Sequence, residues 1–497
     1  LFFLGVTYLL VAIWLSIYGF NAFVLLFLYF RHRHDRMDCG APWSTSRADF
    51  PLVTVQMPIY NEKHVVHQAI DALVRLDWPR DRLQIQVLDD STDETTEIAR
   101  QCVEAYRQRG VDVELIHRTQ RSGYKAGALN EALEAARGSF VALFDADFRP
   151  PADFLRRTVS HLAADPALGF VQARWGHLND EFSLLTLAQA VALDGHFVIE
   201  HTARQRAGLL TNFSGTGGVW RRACIEACGG WRGEMLTEDM DLSYRAQLVG
   251  WKGLALPDVV VPAELPVQLA AFKRQQFRWA KGNTQCLLRQ ARPLMGAPLS
   301  LFVRIQGLIH LSYYLAHPLM LVVMLCTLPL IWHGLLDRWS LTILSAATLG
   351  PPLLYVVSQW AIYADWWRRL RALPVLICLG IGLALNTTAA VIEAVLGIQS
   401  AFQRTPKYQI EGKRGSWRGD SYALSAGRLV WGEILLTVYA LLAVLAAVFR
   451  GNLQAVPFLL LYVVGFGCVS VLGLVQSRRK VRRLKSKEGQ EGATNAR

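Results

Sequence analysis

The sequence predicts an α/β domain with a mostly parallel sheet, inserted between transmembrane α-helices. Three observations predict it. Apolar residues make up 52% of the 497-residue chain, and they gather at its two ends, while residues 31–300 have ordinary soluble composition. Within that middle stretch, short apolar runs alternate with polar-faced helical stretches, as in a parallel sheet covered on both faces. Three of the runs end in polar clusters: Tyr60/Glu62, Asp89/Asp90 and Asp145/Asp147. Ligands in open α/β sheets collect beyond the carboxyl ends of strands, so this convergence is what a nucleotide site requires.

Residues 1–30 are almost wholly apolar and are followed by Arg31, His32, Arg33 and His34. No small-residue cleavage site precedes this basic flank, so the stretch reads as a transmembrane helix entering the cytoplasm and not as a signal peptide. The chain begins with Leu1 in place of Met, which leaves residues upstream open. A linker is expected over 31–50 and a globular domain over 51–298. Its predicted strands are Val53–Met57, Gln84–Leu88, Val113–His117 and Phe140–Phe144, with helices over 63–76, 93–109 and 130–136. The last of these strands stops abruptly at Asp145-Ala146-Asp147, before Pro150-Pro151. Two acids in this spacing can share one hard divalent cation, Mg²⁺ or Mn²⁺, with substrate phosphate oxygens completing the shell. Read alone, they serve equally well as an Asx-rich turn capping the next helix.

Further on, Asn212–Gly218 is a glycine loop able to cradle an anion or sugar through backbone amides. It lacks the lysine spacing of a phosphate-binding NTPase loop. Glu238-Asp239 opens a helix expected over Met240–Val249, where carboxylates are also ordinary N-terminal stabilisers. The stretch Gln275–Trp279 reads as a helix turn. Apolar spans follow near 311–336, 339–363, 374–398, 428–449 and 457–476. Residues 374–398 carry Asn386, Thr387, Thr388 and Glu393, which lipid accommodates poorly, so an interfacial helix is expected over 374–400. Two transmembrane helices are then expected within 299–373 and two within 428–476, flanking a loop at 401–427 and followed by a basic tail at 477–497. This leaves only Arg338 and Arg450 in external loops, in keeping with cytoplasmic positive charge. The net charge of +12 therefore belongs to membrane flanks; no nucleic-acid motif accompanies it. Cys224 and Cys228 are the one close cysteine pair, and with no second pair they read as small buried hydrophobes.

Together these pieces resemble the membrane-embedded processive members of glycosyltransferase family 2, such as cellulose synthase, hyaluronan synthase and the cellulose synthase-like mannan and glucan synthases. The resemblance is carried by Asp89-Asp90, Asp145-x-Asp147, Thr237-Glu238-Asp239 and Gln275-x-x-Arg278-Trp279, in that order, and spans roughly residues 50–480. Lys125–Asn130 and Gly215–Trp220 are most similar to the mannan synthase branch. Phe402-Gln403-Arg404-Thr405-Pro406-Lys407 is similar to the family's gating loop, departing from it at Arg404, where the family has valine.

The resemblance implies a nucleotide-diphospho-sugar transferase (GT-A) fold. It also implies inverting, processive synthesis of a β-linked polysaccharide at the cytoplasmic face of the plasma (inner) membrane, coupled to export. UDP-glucose is the favoured donor. The alternatives are GDP-mannose, giving a β-mannan or glucomannan, and a lipid glycosyltransferase sharing the donor site. Tyr60 offers a stacking face for the base, and Glu62 and Asp89 hydrogen bonds to base or ribose, while Asp90 helps or only holds the loop. Asp145 lies toward ribose and metal, and Asp147 binds the metal. Lys125, Thr405 and Lys407 serve the phosphates, and Asp239, beside Glu238, is the general base. Gln275, Arg278 and Trp279, with Gly215 and Thr216, bind the acceptor. Export partners and a homo-oligomer are left open.

Overall fold

The computed structural model describes residues 1–34, 50–336, 342–400 and 402–494. Nearly all of the expected linker lies outside these residues, as does Arg338. The catalytic-size middle of the chain folds around a seven-stranded sheet ordered β3-β2-β1-β4-β6-β5-β7. Its strands are β1 (Val53–Ile59), β2 (Leu83–Asp89), β3 (Val113–His117), β4 (Phe140–Leu143), β5 (Leu168–His177), β6 (Gly218–Arg221) and β7 (Lys252–Ala263). All are parallel except β6, which runs against both neighbours. The four predicted strands are present within two residues of their expected ends.

The alternation of side chains explains why β1 and β2 are not uniformly apolar. Val53, Val55 and Met57 of β1 join Ile85 and Val87 of β2 in the main core. On the opposite face Thr54 and Gln56 are fully buried and bond across the strands. Thr54 Oγ1 donates to Gln84 Oε1 at 2.8 Å, and Gln56 Nε2 to Gln86 Oε1 at 3.0 Å. The Thr54 hydroxyl and the Gln56 amide N–H thus find partners, without which burial of each would cost about 1–3 kcal/mol, while Gln56 Oε1 stays unpaired.

Strand register places the site. Ile59 pairs with Asp89 and Gln56 with Leu143, so the carboxyl ends of β1, β2 and β4 lie along one edge. Because β6 is antiparallel and Gly218 pairs with Leu143, the glycine loop enters the sheet at that same edge. The pieces of the predicted signature meet there because of this one reversed strand. Sequence reasoning did not find β5, β6 or β7. β6 has only four residues, and β7 carries Pro257 and Pro262 opposite an irregularity at Ala173/Arg174.

Among the described residues, four helices are long and apolar enough to cross a membrane: Phe2–His32, Leu301–Trp332, Val430–Phe449 and Val456–Ser477. The stretch expected to cross near 339–363 is not one of them. It divides into Thr342–Ala346, the 3₁₀ turn Ala347–Leu349 and Gly350–Ile362. Pro351 and Pro352 lack the N–H groups needed to continue a helix but suit a helix start. Close packing accompanies the break. A Cβ on Gly350 would stand 2.2 Å from the Gly19 carbonyl oxygen of the first apolar helix. The helices Trp366–Gly382 and Ala384–Val395 form a pair bent by 43° that together has the length and composition of one span. Its polar residues turn to the sheet domain, not to lipid. Asn386 donates to the Lys273 carbonyl at 3.0 Å, and Glu393 accepts from buried Lys281 at 2.6 Å. Both partners lie on the long helix Leu269–Gly296 that leaves the sheet domain.

Behind the β2 end, Arg118 makes two hydrogen bonds to Asp90, at 2.8 and 2.7 Å, with both side chains 6% exposed. Removing one partner of such a buried pair leaves an uncompensated charge. Arg118→Ala is therefore expected to destabilise the purified chain by about 3–5 kcal/mol in denaturant unfolding. A loss below about 1 kcal/mol would show that the pair is solvated and not structural.

Candidate active site

A cavity of about 190 Å³ opens at the shared strand edge. Tyr60 and Glu62 reach it from the end of β1, Asp90 from β2, and Asp145 and Asp147 from β4. Lys125 enters from the first turn of the helix Tyr124–Ala135, which Gly123 starts in the left-handed region at φ +67°. Ser214 and Gly215 line it from the glycine loop, and Glu238 and Asp239 from the helix start at Glu238, two residues earlier than expected. Gln275, Arg278 and Trp279 share one face of the long helix Leu269–Gly296 and line the cavity from there. Phe402, Arg404, Thr405 and Lys407 cover the cavity from the loop that follows Ala384–Val395.

Two predicted residues stand apart. The Asp89 carboxylate is fully buried behind the strand end, where it accepts from the Ser91 N–H at 2.9 Å and contacts the His117 ring at 2.8 Å. Thr216 is also outside the cavity, and its hydroxyl accepts from the Asp145 N–H at 2.8 Å. Both therefore shape the site from behind and do not face it.

The two strand-end carboxylates of β4 each have a lysine. Lys125 Nζ donates to Asp145 Oδ1 at 2.5 Å and to the Gly215 carbonyl at 3.0 Å. Lys407 Nζ donates to Asp147 Oδ2 at 2.6 Å and also meets the Glu264 carbonyl. Burial alone would lower the Lys125 ammonium, but Asp145, Glu238 and Asp239 outweigh it and hold it above its ordinary value. Burial pushes the Asp239 carboxyl up to about 7; nearby Glu238 adds to the rise, and Lys125 opposes it. Burial likewise raises Glu62 to about 7, against the pull of Arg404 3.8 Å away. A buried acid poised near neutrality beside an open cavity is suited to taking a proton at physiological pH.

The covering loop is docked through the chain end of β7. Glu264 accepts from the Tyr408 N–H at 2.9 Å and the Gln409 N–H at 2.8 Å. Tyr408 Oη donates to Gln268 at 2.8 Å, and the Gly412 N–H to the Leu178 carbonyl at 2.7 Å. Phe402 lies under the Arg278 guanidinium at 4.7 Å. At the opposite end Trp279 packs beside Trp175, with ring centres 6.4 Å apart, and Trp175 meets Phe148 at 5.1 Å.

Among the described residues there is no group of three acidic, histidine or cysteine side chains able to hold a metal alone. Asp145 and Asp147 are two hard oxygen ligands on the cavity wall, a donor set that fits a divalent cation shared with substrate phosphates.

Residues 51–282 match the family described as Glycosyltransferase like family 2. They form a glycosyltransferase family 2 domain. Glucomannan 4-beta-mannosyltransferase 2 of Arabidopsis thaliana is 44% identical over 256 residues, covering 50% of this chain and 46% of that protein. Probable glucomannan 4-beta-mannosyltransferase 6 of Oryza sativa subsp. japonica is 45% identical over 242 residues, covering 48% and 42%. The chain thus spans about half the length of the curated relatives it matches. Mannosyltransferase PcManGT from Pyrobaculum calidifontis, solved in complex with GDP-Man and Mn2+, superposes with a TM-score of 0.52 at 24% identity. That likeness covers 78% of this chain and 99% of the other, and establishes the GT-A-like fold.

Sequence reasoning missed several residues of the cavity. Glu264 is a lone acid after an unpredicted strand, so nothing in its neighbourhood marks it. Trp175 lies within β5, which was itself unseen. Arg121 lies four residues before the recognised Lys125, ahead of the helix Tyr124–Ala135, and carried no motif of its own.

Gly215 adopts φ +83°, and a Cβ there would stand 2.9 Å from Asp239 Oδ2. Gly215→Ala is expected to displace that carboxylate and cut glycosyl transfer by roughly 10²-fold, at the low end of what a general base contributes. Turnover within twofold of wild type would show that Asp239 does not act from this position.

Proposed function

We propose that this protein is an inverting, processive hexosyltransferase that builds a β-linked mannan or glucomannan from GDP-mannose. The observation that carries the reading is the meeting of Asp145, Asp147, Lys125, Asp239 and Trp279 in one cavity beneath a docked loop. The reading is supported by the relatives' names, which are those of mannosyltransferases, and by the fold neighbour PcManGT, solved with GDP-Man. They favour GDP-mannose over UDP-glucose, the donor the sequence reading had preferred. The catalytic domain sits at the cytoplasmic face of a plasma membrane, with the apolar helices carrying the product outward.

In this mechanism Asp239 takes the proton from the acceptor hydroxyl as it attacks the anomeric carbon from the face opposite the diphosphate, which inverts the configuration. Trp279, extended by Trp175, supports the terminal acceptor sugar through its apolar C–H face. Arg278 stands between this platform and the covering loop, positioned to orient acceptor and diphosphate. Asp147 and Asp145 would hold a divalent cation, which when bound neutralises charge on the departing diphosphate. Lys125 and Lys407, freed from those carboxylates, meet the same phosphates as point charges. With Phe402, Arg404 and Thr405 over the cavity, water is kept from hydrolysing the donor.

Purified protein with Mn²⁺ is expected to incorporate label from GDP-mannose into a size-spread, β-mannanase-sensitive polymer. Label from UDP-glucose alone, or a single-sugar lipid product, would contradict the proposal. Chelation by EDTA should abolish incorporation and Mn²⁺ should restore it.

The base must be ionised to act, so kcat/KM should rise with pH and level off above about 7. Because Glu238 helps to raise Asp239 and Lys125 opposes it, Glu238→Gln should move this acid limb to lower pH. Movement to higher pH, or an unchanged limb, would remove Asp239 from the role.

A further inference from the structure

One cation on the cavity wall has no role in the chemistry above. The guanidinium carbon of Arg121 lies 3.4 Å from the centre of the Tyr60 ring. At that distance only a flat, stacked guanidinium avoids driving a nitrogen into the ring. Tyr124 and Phe402 flank it at 5.1 and 5.3 Å. The Asp90 carboxylate is its nearest acid, 3.7 Å from Nε, but both Asp90 oxygens are already bonded to Arg118. The Nε–H of Arg121 is accordingly buried without a hydrogen-bond partner. An unmade buried donor is costly, and the protein leaves this one unmet on the cavity wall.

The position of Arg121 says which part of a donor would meet it. Lys125, Asp145 and Asp147 gather the charge suited to a diphosphate; Arg121 covers the Tyr60 face that the sequence offers to a base. A stacked guanidinium directs its N–H groups sideways, toward the edge of a base lying next to it in the cavity. Guanine presents two adjacent acceptors, O6 and N7, which match the paired N–H groups of an arginine fork. Uracil presents O4 with a C–H beside it, so only one bond is available. Adenine sets an amino donor next to N7, which opposes the fork.

We propose that Arg121 selects the nucleotide, its guanidinium reading the O6/N7 edge of guanine from the Tyr60 face of the cavity. The inference rests on the GDP-mannose reading above, and its test separates the two.

Equilibrium binding of GDP, 7-deaza-GDP and UDP is measured with Mn²⁺ on the full-length chain and on Arg121→Lys, which keeps the charge but not the fork. Wild type is expected to bind GDP at least about tenfold tighter than UDP, and several-fold tighter than 7-deaza-GDP, which lacks the N7 acceptor. In Arg121→Lys, GDP and 7-deaza-GDP should bind alike and the preference over UDP should fall to within about threefold. UDP affinity should stay within about twofold, which also reports a folded site. If wild type prefers GDP yet Arg121→Lys keeps that preference, or loses both nucleotides equally, Arg121 is not the reader although the donor reading stands. Equal wild-type affinity for GDP and 7-deaza-GDP overturns the inference without any variant. Preference of wild type for UDP removes the donor reading, and this inference with it.

Discussion

The ion pair between Lys407 and Asp147 holds the site together. It joins the loop between the helices Ala384–Val395 and Val430–Phe449 to the turn beyond the central strand β4, across 2.6 Å, with both side chains more than nine-tenths buried. An isolated ammonium or carboxylate could not remain charged at that depth; each makes the other tolerable. Glu264 anchors the same loop by its Tyr408 and Gln409 N–H groups, one residue beyond β7. The cavity therefore has a floor from the sheet and a roof from the loop after Ala384–Val395, and neither encloses it alone.

The pairing is general around the cavity. Asp145 faces Lys125, Asp90 faces Arg118, and Glu62 faces Arg404. The domain thus accumulates carboxylates at one strand edge because neighbouring elements supply a cation for several of them. A doubly charged donor phosphate and a divalent cation can enter with little change in net charge, the lysines passing from carboxylate to phosphate. Asp239 is the exception that serves the chemistry. It has Glu238 beside it, and burial with that neighbour leaves it poised near neutrality. The long helix Leu269–Gly296 then couples this pocket to the membrane region, with Lys273 on Glu433 and Lys281 on Glu393.

Much of this was legible in the residues. Apolar runs ending in acids marked β1, β2 and β4, because a buried parallel strand must be apolar and must stop where polar groups begin. The order of motifs marked Asp145, Asp147, Glu238, Asp239, Gln275, Arg278 and Trp279, which the fold brings to one cavity. What stayed hidden depends on contacts between distant segments. β6 is too short to announce itself, yet its reversed direction brings the glycine loop to the site. Asp89 and Thr216 look like ligand contacts by motif, but register turns both inward. Arg121 became visible only through the ring it covers and the partner its Nε lacks. The broken stretch at 342–362 shows the limit of hydropathy, since Gly350-Pro351-Pro352 starts a new helix where apolar content predicts one crossing.

The measurement that tests the docked roof most directly is the rate of tryptic cleavage after Lys413 in the folded, purified chain. Lys407→Ala and Asp147→Ala are each predicted to speed it by about tenfold or more, since each leaves the other charge unpaired. The double variant should be cleaved no faster than the faster single one, because one interaction has been removed twice. Multiplying rate increases, or a rate unchanged in both single variants, would contradict the account.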